Sequence, residues 1–193
     1  YSDAVIWCGY PGQEGARAIY DTVYGKLNNF GRLSVSFPKN VGQLPVNYNY
    51  TKTKNYVDID CLPLYPFGYG LSYSEFDFSD FDVKPATLED IKNGGCIEIS
   101  VTVKNTSSVA GKAVPQLYIH RRGGTVSHRN KELKGFEKVA LSAGEEKRVT
   151  FSIGYDDLKE WSINKKYEIF SQEIKLMIGG SSRNIVFEDN IKI

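Results

Sequence analysis

The 193-residue chain has no apolar run approaching the ~20 residues that cross a bilayer, so no membrane span is expected. It has almost no imbalance of charge. Its 24 Lys and Arg stand against 23 Asp and Glu, a net of +1, which gives no electrostatic reason to expect nucleic acid or an anionic membrane as partner. Cysteine is scarce: Cys8, Cys61 and Cys96 are widely spaced, without a CxxC, which argues against a disulfide framework or a zinc site. Buried thiols in a reducing compartment are the expectation, and this favours a cytoplasmic setting over a periplasmic or secreted one. The two histidines, His120 and His128, have no further ligands at metal-binding spacing. They read as solvated loop residues, and no metal and no cofactor is expected. No signal-peptide pattern opens the chain, and no initiating Met precedes Tyr1, so Tyr1 is not expected to begin the gene product.

What the chain does have is organised around Leu64–Tyr73, read Leu-Tyr-Pro-Phe-Gly-Tyr-Gly-Leu-Ser-Tyr. Pro66 fixes its own φ and biases Tyr65 toward an extended conformation. Gly68 and Gly70 permit backbone angles that a side chain forbids. The aromatics between them each bury on the order of 150–250 Å². The segment therefore reads as a rigid strap pressed onto a folded surface. The residues before it read as α/β and those after it as all-β.

In the first part, Ala4–Cys8 has the look of a strand buried on both faces. After the Gly9–Gly12 turn, Gln13–Leu27 carries apolar residues at Ala16, Ile19, Tyr20, Val23 and Leu27, the spacing of a helix. Glu14 falls near its start, where a carboxylate favours the helix dipole, and Gly25 with Asn28-Asn29 ends it. Gly9, Gly12 and Gly15 match neither the dinucleotide fingerprint nor the P-loop, so a sharp connection is expected there, not a nucleotide site. Residues 31–45 are irregular. Val46–Asp60 is polar and rich in Tyr and Asn, an exposed loop of the kind that carries sites. Tyr48, Tyr50, Tyr56 and Asp58 could serve a sugar by stacking and hydrogen bonding, and a solvated surface loop is the plainer alternative. The sequons at Asn49 and Asn105 matter only in a secretory route.

After Tyr73 the pattern has period two. Ile97, Ile99, Val101 and Val103 alternate with Glu98, Ser100, Thr102 and Lys104, the mark of a half-buried strand. Apolar runs at Val114–His120, Glu132–Leu141, Lys147–Ile153, Tyr167–Phe170, Ile174–Ile178 and Asn184–Phe187 follow, with turn residues between them. About seven short strands suggest a β-sandwich.

Four motifs in order resemble glycoside hydrolase family 3, the β-glucosidases and β-xylosidases. They are Tyr10-Pro11-Gly12-Gln13-Glu14-Gly15, then Gly31-Arg32-Leu33 leading to Phe37-Pro38, then Gly42-Gln43-Leu44-Pro45, then Tyr65–Tyr73. The pattern departs at Ser34, where a proline is common. Val101–Thr106, Gln116–Ile119, Lys131–Lys138 and Ile178–Ser182 resemble the family's C-terminal fibronectin type III-like domain. The resemblance implies that residues 1–75 are the C-terminal part of the α/β-sandwich domain with its closing loops. Residues 76–193 would then be the fibronectin-like domain with its linker, an immunoglobulin-like β-sandwich.

Retaining glycoside hydrolysis needs two carboxyl groups about 5–5.5 Å apart. The resemblance implies a nucleophilic Asp on a (β/α)8 barrel and an acid/base Glu ahead of this chain's first residue. Ser2-Asp3-Ala4 and Ser79-Asp80-Phe81 only echo the nucleophile's motif, and Glu14 suits a helix start. No catalytic residue is therefore expected here, and Tyr56 and Asp58 are the candidate substrate-binding residues. The expected role is the C-terminal portion of a retaining, exo-acting β-glycosidase, a β-glucosidase before a β-xylosidase, needing no metal. Its partners would be a β-linked glycoside or oligosaccharide substrate and the remaining catalytic portion of the same enzyme. A homo-oligomer is left open. The rival reading is a non-catalytic carbohydrate-binding or adhesive module.

Overall fold

Alternating β-branched and aromatic residues drive the second part of the chain into strands, which fold into two facing antiparallel sheets in this computed structural model. The structure describes residues 2–28, 30–50, 60–170 and 172–193. Among these lie α1 (Gly15–Val23), β1 (Phe76–Lys84), α2 (Leu88–Lys92), β2 (Ile97–Asn105), β3 (Gly111–Ala113) and β4 (Gln116–Gly123). They continue with β5 (Glu132–Phe136), β6 (Val139–Leu141), β7 (Glu146–Ile153), α3 (Tyr155–Leu158), β8 (Glu160–Trp161), β9 (Tyr167–Glu168), β10 (Gln172–Gly179) and β11 (Ile185–Lys192).

One sheet has the order β1-β2-β7 and the other β11-β10-β4-β5. Between them lies a core in which Ile97, Ile99, Val101, Val103, Leu117, Ile119, Ile174, Leu176 and Ile178 are all completely buried. Each such side chain contributes roughly 1.5–3 kcal/mol over leaving it in water. Helix α2 closes one edge of the core with the buried Ile91. A reciprocal capping box starts it, Thr87 with Asp90, and Thr87's hydrogen bonds hold the Asp90 carboxyl below its usual value.

Two strand expectations change. β2 is not half-buried. As the central strand of its sheet it has Ser100 and Thr102 covered as well, at 9% exposure each, with Arg148 Nη2 donating to Ser100 Oγ at 2.6 Å. Glu132–Leu141 is two strands: β5 extends the four-stranded sheet, and β6 pairs with β3. β8 and β9 add a separate short hairpin.

The first part is the α/β segment, represented among the described residues by α1, a short 3-10 turn at Val41–Gln43 and loops. Ala4–Cys8 forms no strand, and Val5 and Trp7 are 72% and 58% exposed. A buried strand needs ladder partners for its backbone, and the described residues supply none to this stretch. α1 forms as its periodicity demands, and Gly25 ends it at φ +71. Its side chains Tyr20 and Val23 stay exposed. Cys8 and Cys96 are exposed and Cys61 half-buried, against the expectation of buried thiols. Cys8 lies on the uncovered Ala4–Cys8 segment, and Cys96 just precedes the first residue of β2. Asn105 is completely buried, with its Nδ2 donating to the carbonyls of Val109 and Leu141, so its sequon is closed to modification.

Candidate functional site

The strap joins the two parts through main-chain carbonyls, as its glycines require. Gln116 Nε2 donates to the carbonyls of Gly68, at 3.0 Å, and Gly180, at 2.8 Å. Gln116 Oε1 accepts from the Tyr118 hydroxyl at 2.5 Å. Burial, with Tyr48 nearby, pushes the Tyr118 phenol up and keeps it a donor. Gly68 has φ +79, and a Cβ there would collide with Gln116 and the Tyr118 hydroxyl. The N–H of Ser182 donates to Phe67 O at 3.0 Å. The irregular stretch of residues 30–50 forms an arm on the strap's other side: Phe37 pairs with Tyr65 in an isolated bridge, and Leu33 N donates to Tyr69 O.

Asn28 is the second joint. Its Nδ2 donates to Ser74 Oγ at 2.7 Å and to Ala110 O at 2.8 Å. Its Oδ1 accepts from Ser72 Oγ and Tyr73 N. The residue expected to end a helix thus ties the helix's exit to the strap and to the sandwich.

Where the arm, the strap and the sandwich meet, a cleft of about 330 Å³ opens. Tyr48 forms its inner wall, stacked on Phe67 with ring centroids 4.1 Å apart and edge-on to Tyr118. The Tyr48 hydroxyl accepts from Leu133 N at 3.2 Å. Lys131 reaches in from the other side and donates to Ser182 O at 2.5 Å, and burial pushes its ammonium below the ordinary value. Asn130 N donates to Tyr50 O, and the buried Asn130 Oδ1 has no hydrogen-bond partner among the described residues. Gln43 holds the arm's floor by accepting from Lys39 N and donating to the carbonyls of Asp60 and Leu62. The hydrogen bond from Lys39 is the main reason the Asp60 carboxyl lies below its usual value. The cleft therefore offers tyrosine faces, amides and a lysine, the groups that hold polyols.

Tyr56 and Asp58, the two expected substrate-binding residues, lie outside the described residues. Of their companions, Tyr48 and Tyr50 both line the cleft, Tyr48 with one ring face stacked on Phe67. Glu14 caps α1 without a side-chain cap bond. Asp80 sits in a bulge of β1 at φ +49, accepting from Ser79 Oγ, far in kind from a barrel strand. Among the described residues no cluster of three or more His, Cys, Asp or Glu could hold a metal ion.

One polar cluster was not foreseen. His128 is no solvated loop residue: its side chain and that of Glu160 are both 5% exposed, with Nε2 3.0 Å from Glu160 Oε2 and 3.0 Å from Gly123 O. Glu160 also accepts from Thr125 N and Thr125 Oγ1. Burial, then the positive charge of Arg121, pushes His128 below its ordinary value. Arg121 bonds Glu132 at 2.8 Å and Leu158 O at 3.0 Å. Burial raises the Glu132 carboxyl, and the hydrogen bond and charge of Arg121 outweigh it, leaving the group lowered. Parity was the available signal. Arg121 follows Leu117 and Ile119 on the inward face of β4, and Glu160 falls between the buried Leu158 and Ser162.

Residues 1–73 match the Glycosyl hydrolase family 3 C-terminal domain, and residues 113–182 match the Fibronectin type III-like domain. A periplasmic beta-glucosidase of Salmonella typhimurium is 36% identical, over 95% of this chain and 25% of that protein. A putative beta-xylosidase of Formosa agariphila is 39% identical, over 94% of this chain and 24% of that protein. A crystal structure of a beta-glucosidase from Listeria innocua in complex with glucose superposes with a TM-score of 0.90 at 36% identity, over 99% of this chain and 28% of that one. The chain belongs to glycoside hydrolase family 3, carrying part of its C-terminal domain followed by a fibronectin type III-like domain. It spans about a quarter of the length of these relatives.

Proposed function

We propose that this chain is the C-terminal portion of a retaining, exo-acting β-glycosidase. It acts on terminal β-linked glucosides first and xylosides second, and it supplies frame and active-site rim but neither catalytic carboxylate. The domain division falls at 75/76, just after the strap. The observation that carries the reading is the pair of joints at Gln116 and Asn28. They bind a segment with an exposed apolar face to a sandwich that buries its own core. Val5, Trp7, Tyr10, Tyr20 and Val23 all lie open on that segment, and large apolar side chains exposed together in one short stretch point to a surface that a partner covers. Its partner is the remaining catalytic portion of the same enzyme. A free-standing adhesive module has no use for such a segment. Tyr56 and Asp58 belong to the rim, because residues on both sides of them, Tyr50 and Cys61, line the cleft.

The test is hydrolysis of nitrophenyl β-glucoside and β-xyloside by the longer polypeptide that carries this chain, with the anomer of the first product read by NMR. β-Anomer from β-substrate is expected. The α-anomer, or no hydrolysis of either substrate, would overturn the reading.

A further inference from the structure

The β8–β9 hairpin holds an aromatic surface that the cleft does not use. Trp161 and Tyr167 are cross-strand partners, with ring centroids 5.1 Å apart and planes at 73°. They are 56% and 58% exposed, and beside them Ile163 is 79% and Tyr155 37% exposed. Isolated two-stranded hairpins are marginal in water, yet this one is firmly held. Ser162 and Asn164 both donate to Glu168 Oε2, Lys166 pairs with Glu168 at 2.9 Å, and these bonds pull the Glu168 carboxyl down to about 2. Glu160 anchors the hairpin's start in the buried His128 cluster. The frame is therefore preorganised, and it exposes Trp161 and Tyr167 together, with Lys159 Nζ 5.2 Å from the centroid of the Tyr167 ring.

Two features select the occupant. The first is position. β4 begins at Gln116, on the strap, and ends at Gly123, on the His128 cluster. Eight residues of strand place the hairpin roughly 23 Å from the strap's Gly68 contact, and residues 155–168 are not among the described residues that line the cleft. The second is charge. Across residues 155–168 three lysines face four carboxylates, Glu160 is turned inward, and Lys159 is held by Asp156 at 2.6 Å. The exposed surface has no net charge to attract an ionic partner. It matches a neutral chain with apolar faces and hydroxyl edges. Pyranose rings present C–H faces of this kind, and tyrosine and indole offer flat surfaces with a polar edge to meet them. We propose that Trp161 and Tyr167 form a binding surface for a neutral β-linked glucan chain, separate from the cleft, that keeps the protein on polymeric substrate. The ligand class rests on the β-glycosidase reading; the surface itself does not.

The experiment is native gel electrophoresis of the 193-residue chain through gels containing soluble β-1,3/1,4-glucan. Retardation is expected, and Trp161→Ala and Tyr167→Ala should each weaken it roughly tenfold. No retardation, or retardation unchanged in the folded double variant, would overturn the proposal. Should the alanine variants fail to fold, Trp7→Phe leaves Trp161 as the single tryptophan. Its fluorescence must then shift on addition of the glucan, and an unmoved spectrum would overturn the proposal. In the longer polypeptide, Trp161 must remain open to acrylamide quenching; protection there would mean the enzyme's own residues cover the surface, which also overturns it. Trp161→Ala should leave nitrophenyl glucoside turnover by the longer polypeptide unchanged. Loss of turnover in the unmutated longer polypeptide counts against the glycosidase reading alone, since the gel reports glucan binding independently.

Discussion

Gln116 Nε2 donates to the carbonyl of Gly68 at 3.0 Å, across 48 positions of sequence. That contact joins the strap to the first residue of β4 and sets how the α/β segment sits on the sandwich. Replacing Gly68 with Ala forces a Cβ against Gln116 and Tyr118 at a left-handed φ. Strain of this kind costs about 1–3 kcal/mol. A urea titration of the Gly68→Ala chain should show a lower midpoint with unchanged slope. A midpoint equal to that of the parent chain would mean the strap yields without cost.

The Asn28 joint gives a separable prediction. Asn28→Ala removes the partner of the Ala110 carbonyl and of Tyr73 N–H; both bonds lie at exposed positions where water takes the partner's place, so the cost is about 0.5–1.5 kcal/mol. The sandwich core does not depend on it. Hydrogen exchange should therefore quicken across residues 15–27 and stay slow at Ile97–Val103 and Val149–Ile153. Equal quickening in β2 would show that the two parts unfold as one.

How much of this was legible in sequence follows from where the determinants lie. The period-two runs of β2 and β7 announced the sandwich because their apolar residues pack against one another within the chain. The same reasoning failed at Ala4–Cys8, because an apolar run implies a buried strand only when its neighbours are present. Gly68 announced its conformation, whereas Asn28 gave no sign of its role, since its four partners lie 44 to 82 positions away. His128 looked solvated because burial by Glu160 depends on a loop closing over it. The candidate rim residues Tyr56 and Asp58 remain where composition put them, in the segment between Tyr50 and Asp60.

His128 should make stability depend on pH. Its folded-state pKa is depressed, by burial first. The native protein therefore prefers the neutral ring, and the unfolded chain, with an ordinary value near 6.5, takes the proton first. The stabilisation is full above that value and is lost as pH falls below it toward the depressed folded-state pKa. Melting curves at pH 7.5 and 5 should show a smaller acid-induced fall in His128→Gln than in the parent chain. Parallel falls would rule this out.

Changing Tyr56 and Asp58 together to Ala in the longer polypeptide should raise KM or lower kcat for nitrophenyl glucoside, with the melting temperature unchanged. Unaltered kinetics would remove both from the rim.

The most direct test of the account is the behaviour of the pure 193-residue chain toward nitrophenyl β-glucoside. The account predicts no turnover above the uncatalysed rate, alongside ready turnover by the longer polypeptide. Turnover by the chain alone, abolished by a single substitution within it, would place the catalytic carboxylates here and contradict the assignment.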